Sequence, residues 1–267
     1  MRLKLRQTLC LAAVAVLVVA CSTSPLGRRQ FLLISDAEVS QAGTASFRDM
    51  QKKMPLSTDS RQVGYVNCVS AAIVAEIPRL QAQGKLRVPP SWEVSVFAGK
   101  DVNAFALPGG KIGVYAGLLG VAETQDQLAA VIGHEVTHVL AGHSAERYSQ
   151  AMTSQIGGVL VQATTGVNGD LVNMATNAFI LLPFSRAHET EADLLGLDLM
   201  ASAGFDPRQA ISLWQNMAKA SGGKKPAEFM SSHPSDETRI RNLSNRLAGA
   251  MPIYEQARIS GRQPRCS

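Results

Sequence analysis

The alternation of apolar and polar positions predicts two helices in the first part of the chain. Ser35-Asp-Ala-Glu38 has the spacing of a capping box, so a helix is expected from there to about Lys53. Asp59 or Ser60 is expected to cap a second helix that reaches Ile77. The second helix has an apolar face with helical spacing, made of Val63, Val66, Val69 and Ile73.

The period changes from helical to alternating after residue 90. Apolar residues alternate with others over residues 92–98, which indicates a strand. Two more short extended runs, residues 104–107 and 111–115, flank Pro108-Gly109-Gly110, which is typical of a turn. We therefore expect a small antiparallel three-stranded sheet.

Helical patterns return in the second half. A capping box at Thr124 is expected to open a helix that continues to about Tyr148. Residues 151–183 carry one charge and are expected to form a helical hairpin or lid. Further helices are expected from Pro183 to Ala203 and over residues 236–248, so the fold class is α+β, mainly helical.

Composition is consistent with a buried core and excludes one class of partner. Hydrophobic residues make up 46% of the chain, which is ample for one domain over residues 31–267. The net charge is +5, but three basic residues lie in the first six positions: Arg2, Lys4 and Arg6. The chain shows no basic patch with interleaved aromatic residues, so no nucleic-acid partner is expected.

Residues 1–20 have the pattern of a signal peptide of the lipoprotein type. The basic start precedes an uncharged run over residues 8–20 that is too short to span a bilayer comfortably. Small residues then precede Cys21, as in the bacterial lipobox, where the cysteine is lipidated. The alternative is an ordinary signal peptide, or an N-terminal anchor, with an incidental cysteine.

The residue after Cys21 suggests a location. Serine stands there rather than aspartate, which resembles enteric lipoproteins sent to the outer membrane. We therefore expect residues 21–30 to form a tether and the protein to lie in the bacterial cell envelope, lipid-anchored and facing the periplasm. In that oxidising compartment a disulfide between Cys68 and Cys266 is favoured over two free thiols.

The candidate metal-binding and catalytic residues are concentrated in the motif His134-Glu135-x-x-His138. Two histidines four residues apart lie on one face of a helix and can bind one zinc ion, with Glu135 directed toward the attacking water. Two satisfied core histidines are the alternative, but they do not explain a glutamate between them in an apolar helix.

A hydrolytic zinc site needs a third protein ligand. His143 lies nine residues after His134, where the metzincin pattern requires ten, so it is not that ligand. Glu189 and Asp193 are four apart on a second predicted helix, where one carboxylate can bind zinc and the other can support a ligand histidine. Glu191 is expected to point elsewhere, exposed or salt-bridged.

Four separated motifs occur in a familiar order. They are Asn103-Ala-Phe-Ala-x-Pro-Gly-Gly-Lys, the motif at His134, Ser185-Arg-x-x-Glu-x-x-Ala-Asp193 and Ser232-His-Pro234. This set resembles the zinc metallopeptidase family that contains the heat-shock protease HtpX, the CAAX prenyl protease and the mitochondrial Oma protease, and within it the periplasmic lipoprotein branch. The resemblance implies a zincin-like (gluzincin) fold.

The resemblance also implies roles for individual residues. It assigns one zinc ion per chain to His134, His138 and Glu189, and makes Glu135 the general base. His233 would stabilise the oxyanion or occupy the open zinc position of a latent enzyme, unless it only caps a loop. The implied edge strand for an extended substrate comprises Asn103, Ala104, Phe105 and Ala106.

The expected function is therefore hydrolysis of misfolded or mistargeted envelope proteins by a zinc endopeptidase. Its expected partners are unfolded or extended polypeptides, the membrane through the lipid, and envelope assembly machinery. A chaperone-like lipoprotein with a latent zinc site is the main alternative. A cell-wall amidase is a third, which the edge-strand segment disfavours.

Overall fold

The computed structural model describes residues 21–82, 86–162, 179, 183–220, 228–233 and 237–267. The predicted α+β, mainly helical class is confirmed. The first elements are strands β1 (Cys21–Thr23) and β2 (Arg29–Phe31), helices α1 (Asp36–Lys53), α2 (Ser60–Ala75) and α3 (Ile77–Gln81), and strands β3 (Glu93–Phe97), β4 (Ala104–Leu107) and β5 (Lys111–Tyr115). A 3-10 helix (Ala116–Gly120) then precedes α4 (Gln125–Leu140), α5 (His143–Gln162), α6 (Arg186–Ser202), α7 (Gln209–Ala220), α8 (Glu228–Ser232) and α9 (Glu237–Ile259).

Side-chain hydrogen bonds cap the N-termini of several helices. The Ser35 side chain accepts a hydrogen bond from the backbone N–H of Glu38, whose carboxylate accepts one from the backbone N–H of Ser35. Asp59 caps α2, while Thr124 and Ser185 cap α4 and α6. Each cap is worth on the order of 1 kcal/mol, so local sequence fixes where the two helices of the candidate site begin.

The helix expected to run to about Tyr148 is instead two helices. Helix α4 ends just before Gly142 and α5 begins just after it. Gly142 has a φ of 72°, a left-handed conformation that glycine adopts without strain and that terminates a helix. The turn brings His143 back against His138.

The three-stranded sheet is mixed rather than antiparallel, so that part of the prediction is wrong. Its strand order is β3-β5-β4, with β4 antiparallel and β3 parallel to β5. The turn at Gly109 and Gly110, both with positive φ, forces β4 and β5 into a hairpin. Residues 98–103 are long enough to step across one strand position, which leaves β5 in the centre and β4 at an edge.

Helix α4 runs through the centre of the fold. Every residue from Gln127 to Leu140 is buried, and the helix contacts α2, β4, α6 and α7. Gly133 and Gly196 lie where α4 meets α6, and a Cβ added at Gly196 would be 2.9 Å from the backbone nitrogen of His134. The two glycines therefore let the helix backbones touch.

Residues 21–30, expected to form a tether, lie in a folded hairpin. Strand β1 pairs with β2 in antiparallel fashion. The backbone N–H of Leu26 donates to Glu191 Oε1 at 3.0 Å, and Arg28 forms an ion pair of 2.8 Å with Glu146. The hairpin is therefore attached to helices α5 and α6.

Two expected segments lie partly or wholly outside the described residues. Residues 1–20 lie wholly outside them, so the signal peptide and the lipidation of Cys21 stay predictions. Of the hairpin or lid expected at residues 151–183, the structure describes the end of α5, residue 179 and residue 183.

Cys68 and Cys266 are joined in a disulfide, the favoured pairing. The bond links α2 to the C-terminal tail across a sequence separation of 198. The tail is also bound at the start of α4, because the Gln125 side chain donates to the Pro264 carbonyl and accepts from the backbone N–H of Cys266. In the chain-entropy description, closing a loop of this length stabilises the fold by on the order of 5 kcal/mol.

One helical stretch in the described part of the chain, Ser60–Gln81, has the length and apolar composition of a membrane-crossing helix. Its residues Val66, Val69 and Ile73 are completely buried in the main core. Core helices commonly meet the same criterion, so the stretch is weak evidence for a membrane span.

Candidate metal centre

Helix α4 carries three buried titratable side chains at the middle of the molecule. His134 and His138 lie one turn apart, and their Nε2 atoms are 3.0 Å from each other. Glu135 is buried beside them. Burying such groups in an apolar helix is costly unless they have partners, so the neighbouring elements have to supply them.

Helix α6 and the segment after α8 bring two more ligating groups to the same place. Glu189 Oε1 lies 3.4 Å from His138 Nε2, and Glu189 Oε2 lies 3.5 Å from His134 Nε2. His233 Nδ1 lies 3.2 Å from His134 Nε2 and 3.0 Å from Glu189 Oε1. One ligating atom from each of the four residues lies within 4.8 Å of all the others.

These separations fit a zinc ion. Tetrahedral zinc with bonds of about 2.0–2.1 Å places its ligand atoms roughly 3.3 Å apart, and the separations here run from 3.0 to 3.5 Å. Imidazole nitrogen and carboxylate oxygen are also donors that zinc accepts. The predicted set of His134, His138 and Glu189 is thus brought together, with His233 as a fourth.

Asp193 lies where the sequence placed it, behind His134. Its Oδ1 accepts a hydrogen bond from His134 Nδ1 at 2.9 Å, which leaves His134 Nε2 facing the other ligand atoms. Arg239 of α9 is buried beside this pair. Its guanidinium pairs with Asp193 at 2.7 Å and Glu189 at 2.9 Å and lies over the Trp214 ring.

Burial and charge set the pKa values of the four groups on α4 and α6. Burial lowers the pKa of His138 well below its usual value and raises that of Glu135. Burial would lower the pKa of His134 too, but Asp193 and Glu189 outweigh it and raise that pKa to about 9. Burial would raise the pKa of Glu189, but the charge of His233 and hydrogen bonds from the histidines hold it well below its usual range. Zinc would therefore displace a proton from the site.

Glu135 lies between the metal-ligating atoms and strand β4. Its Oε2 accepts a hydrogen bond from the backbone N–H of Ala106 at 3.3 Å, and its Oε1 lies 3.3 Å from His233 Nε2. Ala106 lies opposite Ile112 of β5, but its N–H is bonded to Glu135 and therefore points outward from the sheet edge, as in alternate pairs of an antiparallel ladder. The predicted base and the predicted edge strand are thus in contact.

The edge strand is covered in this structure. Asn103, Ala104, Phe105 and Ala106 are all buried. The remaining cavity beside them has a volume of about 10 Å³ and is also lined by Phe179, Phe184, Ser232 and His233. An extended peptide could reach the edge only after some of these covering residues move.

Sequence reasoning missed a group of residues behind His138. His143 lies 3.0 Å from His138 and 3.0 Å from Glu191, and Glu191 is buried and salt-bridged, not exposed. His188 stacks on His143 and lies 3.1 Å from Glu146. The early stop at Gly142 was the sequence signal that could have placed His143 there.

Sequence comparison agrees with this geometry. Residues 69–247, about two thirds of the chain, match the sequence profile of peptidase family M48. The chain belongs to peptidase family M48. The expected resemblance to the zinc metallopeptidases and the expected zincin-like fold are confirmed, as is zinc as the cofactor of this family.

Several relatives within M48 are curated proteins. Mitochondrial metalloendopeptidase OMA1 of Schizosaccharomyces pombe is 43% identical over 60% of this chain and 48% of its own length. The Bos taurus protein, metalloendopeptidase OMA1, mitochondrial, is 30% identical over 90% of this chain and 47% of its own. The beta-barrel assembly-enhancing protease of Escherichia coli is 23% identical over 84% and 47%. The chain thus spans about half the length of these relatives.

The comparison corrects the expected location. A lipid-anchored position at the bacterial outer membrane was expected from the residues around Cys21. The OMA1 relatives from yeasts, Arabidopsis thaliana and Bos taurus are named as mitochondrial proteins, and they point to that compartment instead.

Proposed function

We propose that this chain is a zinc-dependent endopeptidase that cleaves polypeptides bound in an extended conformation. The contact between Glu135 and Ala106 carries the proposal, because it joins the candidate base to an edge strand. A base, three zinc-ligating side chains and a place for substrate backbone then lie together. Names of the M48 relatives, which are metalloendopeptidases, support the same activity.

Each residue of the site has a chemical task in this proposal. His134, His138 and Glu189 hold the metal, which supplies Lewis acidity at the substrate carbonyl and at the attacking water. Glu135 takes a proton from that water and gives it to the leaving amine. Burial raises the pKa of Glu135, which suits a group that has to accept a proton and then release it.

Strand β4 orients the substrate. Its outward backbone groups, at Ala104 and Ala106, can pair with an extended peptide by strand addition. Backbone pairing reads little of the sequence, so broad tolerance of substrate side chains follows. Folded proteins offer few free extended segments, and we therefore propose non-native polypeptides, in a quality-control role, as the substrates.

A membrane-protein assembly machinery is the proposed partner beyond the substrate. One relative is named for enhancing β-barrel assembly, and proteins that wait to be assembled expose extended segments. Such segments match what strand β4 would bind.

His233 makes the described conformation a latent one in this proposal. Its Nδ1 lies among the zinc-ligating atoms, and Phe229 and Phe184 stack on its ring at 4.5 and 5.2 Å. His233 therefore occupies the fourth zinc-ligand position, which the substrate carbonyl or the attacking water would need. The alternative role, support of the oxyanion, would require His233 to stay close to the metal while the substrate is bound.

Glu135→Gln tests the proposed function. The variant should keep zinc and fold yet lose at least about a thousandfold in the cleavage rate of an unfolded casein substrate, because the base is gone. Glu146→Gln, which changes another buried carboxylate away from the ligands, is the matched control and should retain activity. Cleavage by Glu135→Gln at the wild-type rate would refute the assignment.

His233→Ala distinguishes the two roles of His233. We expect faster casein cleavage, since a residue that occupies the fourth ligand position has been removed. A loss of roughly a hundredfold or more would instead identify His233 as an oxyanion donor. Zinc content, measured on both proteins, shows that the metal is present in each comparison.

The closed cleft also favours a second candidate function, a client-binding protein with a silent zinc site. Suppression of casein-like client aggregation with and without chelator separates the two candidates. Suppression that persists after chelation and in Glu135→Gln, without any cleavage, would favour the client-binding protein.

A further inference from the structure

A second set of buried hydrogen bonds lies behind His138, on the side away from the ligand atoms. His138 Nδ1 lies 3.0 Å from His143 Nδ1, and His143 Nε2 lies 3.0 Å from Glu191 Oε2. All three side chains are buried. His138 Nε2 faces His134 and Glu189, so Nδ1 is the ring atom left for a supporting contact.

The proton positions in this set follow from its chemistry. The Glu191 carboxylate only accepts hydrogen bonds, so His143 Nε2 carries a proton and donates it. In a neutral ring His143 Nδ1 is then an acceptor, and His138 Nδ1–H donates to it. His138 Nε2 is left without a proton, with its lone pair directed at the ligand atoms.

We propose that His143 and Glu191 are positioning residues that hold His138 in the tautomer and orientation that zinc binding needs. The proposal rests on the zinc peptidase proposed above and extends it to a second, indirect support. Asp193 supports His134 in one step, whereas Glu191 supports His138 through His143. Both carboxylates come from helix α6.

We call the hydrogen-bonded set of His138, His143 and Glu191 the relay. The N-terminal hairpin of β1 and β2 holds Glu191, the member of the relay farthest from the ligand atoms. Leu26 N–H donates to Glu191 Oε1 at 3.0 Å, and Arg28 Nε donates to Glu191 Oε2 at 3.4 Å. These contacts engage both oxygens of Glu191, including the Oε2 that accepts from His143, and hold its carboxylate in place. The hairpin therefore contributes to the geometry of the metal centre without touching a ligand.

Another carboxylate of helix α6 supplies a matched control. Asp198 pairs with Arg246 of α9 rather than with the hairpin or His143. Asp198 is 8% exposed and Glu191 is 3% exposed, so both are buried carboxylates of the same helix. Asp198→Asn therefore changes a buried polar group of α6 without touching the hydrogen bonds that join His138, His143 and Glu191.

Zinc affinity is the first readout, measured by chelator competition in the Glu135→Gln background. His143→Phe should weaken zinc binding by about 10- to 100-fold, the usual effect of removing a ligand's support. Asp198→Asn should stay within about twofold. Unchanged affinity in His143→Phe, or an equal loss in Asp198→Asn, would overturn the proposal.

His143→Asn is the conservative variant, because an asparagine amide oxygen can take the place of Nδ1 and accept from His138 Nδ1–H. It should restore zinc affinity to within about threefold of the parent protein. A loss as large as that of His143→Phe would show that an acceptor at this position does not support His138, which contradicts the relay.

Nitrogen-15 spectra of the zinc-loaded protein test the relay without changing it. His143 should be the tautomer protonated at Nε2, and a proton at Nδ1 would overturn the assignment. These readouts use no peptide cleavage, so they can fail while the proposed activity stands. Conversely, cleavage by Glu135→Gln at the wild-type rate would refute the assignment of Glu135 as the base and leave the relay untouched.

Discussion

The two histidines of α4 are held in different ways. His134 bonds directly to Asp193, inside the core, where Arg239 and Trp214 cover the pair. His138 is supported through His143 by Glu191, whose other contacts are with the partly exposed hairpin. One side of the centre is thus part of the helix packing, and the other is connected to the surface.

This difference separates what the site needs from what can change it. The His134 side depends on the contact of α4 with α6, which cannot alter without disturbing the core. The His138 side depends on a hairpin that contacts α5 and α6 through a few polar bonds. Substitutions on the His134 side should therefore lower stability and zinc affinity together. Substitutions on the His138 side should lower one of these two quantities without the other.

Asp193→Asn should have the largest effect on zinc. The direct support of His134 is lost and Arg239 loses a buried partner, so zinc affinity should fall by about 100-fold and thermal stability should fall with it. Asp198→Asn, on the same helix but paired with Arg246, is the control and should bind zinc normally. If both variants bound zinc equally well, direct support of His134 would not matter.

Gly196→Ala should have the next largest effect, on stability. A Cβ at this position meets the backbone nitrogen of His134 at 2.9 Å, and such overpacking costs about 1–3 kcal/mol. Gly249→Ala, in α9 with no atom within 4 Å of the added Cβ, should instead stabilise by about 0.5–1 kcal/mol. Urea unfolding measures both, and equal effects would contradict a tight contact at Gly196.

The smallest effect is expected on the His138 side, as a dependence on pH. Burial would raise the pKa of Glu146, but hydrogen bonds from His188 and Arg28 outweigh it and lower the pKa to about 2. A lowered pKa contributes stability above the unfolded-state value of about 4.5. That contribution is lost as the pH falls toward about 2.

Comparison of wild type with Glu146→Gln at several pH values checks this expectation. The stability difference between the two proteins should be full at pH 7 and should shrink between about pH 5 and pH 2. The ion pair with Arg28 is partly exposed, so the difference should be modest. A difference that stayed constant down to pH 2 would show that Glu146 is not stabilised as a carboxylate.

The sequence predicted the part of the site that depends on helical spacing. His134, Glu135 and His138 follow from one motif, and Glu189 with Asp193 follows from a second, because residues four apart share a helix face. Helix starts were also predictable, since caps are local. None of these inferences needed knowledge of how distant segments pack.

The parts that the sequence left open or predicted wrongly depend on packing or connection. Glu191 lies two residues from Glu189, on another face of α6, and was expected to be exposed or salt-bridged; it is salt-bridged to Arg28 and buried. The hairpin and α5 cover that face, which periodicity alone could not show. The prediction that β3 is antiparallel was wrong for a related reason. The six residues 98–103 can either form a turn to a neighbouring strand or cross over one strand position, and the sequence does not distinguish these connections.

The disulfide gives the chain a further property. Every residue assigned to the metal centre lies between Cys68 and Cys266, so the covalent structure is a closed ring that encloses the whole site. A single backbone cut anywhere in that ring leaves both pieces joined. A single self-cleavage within the ring would therefore release no fragment, and gel electrophoresis would detect it only after reduction.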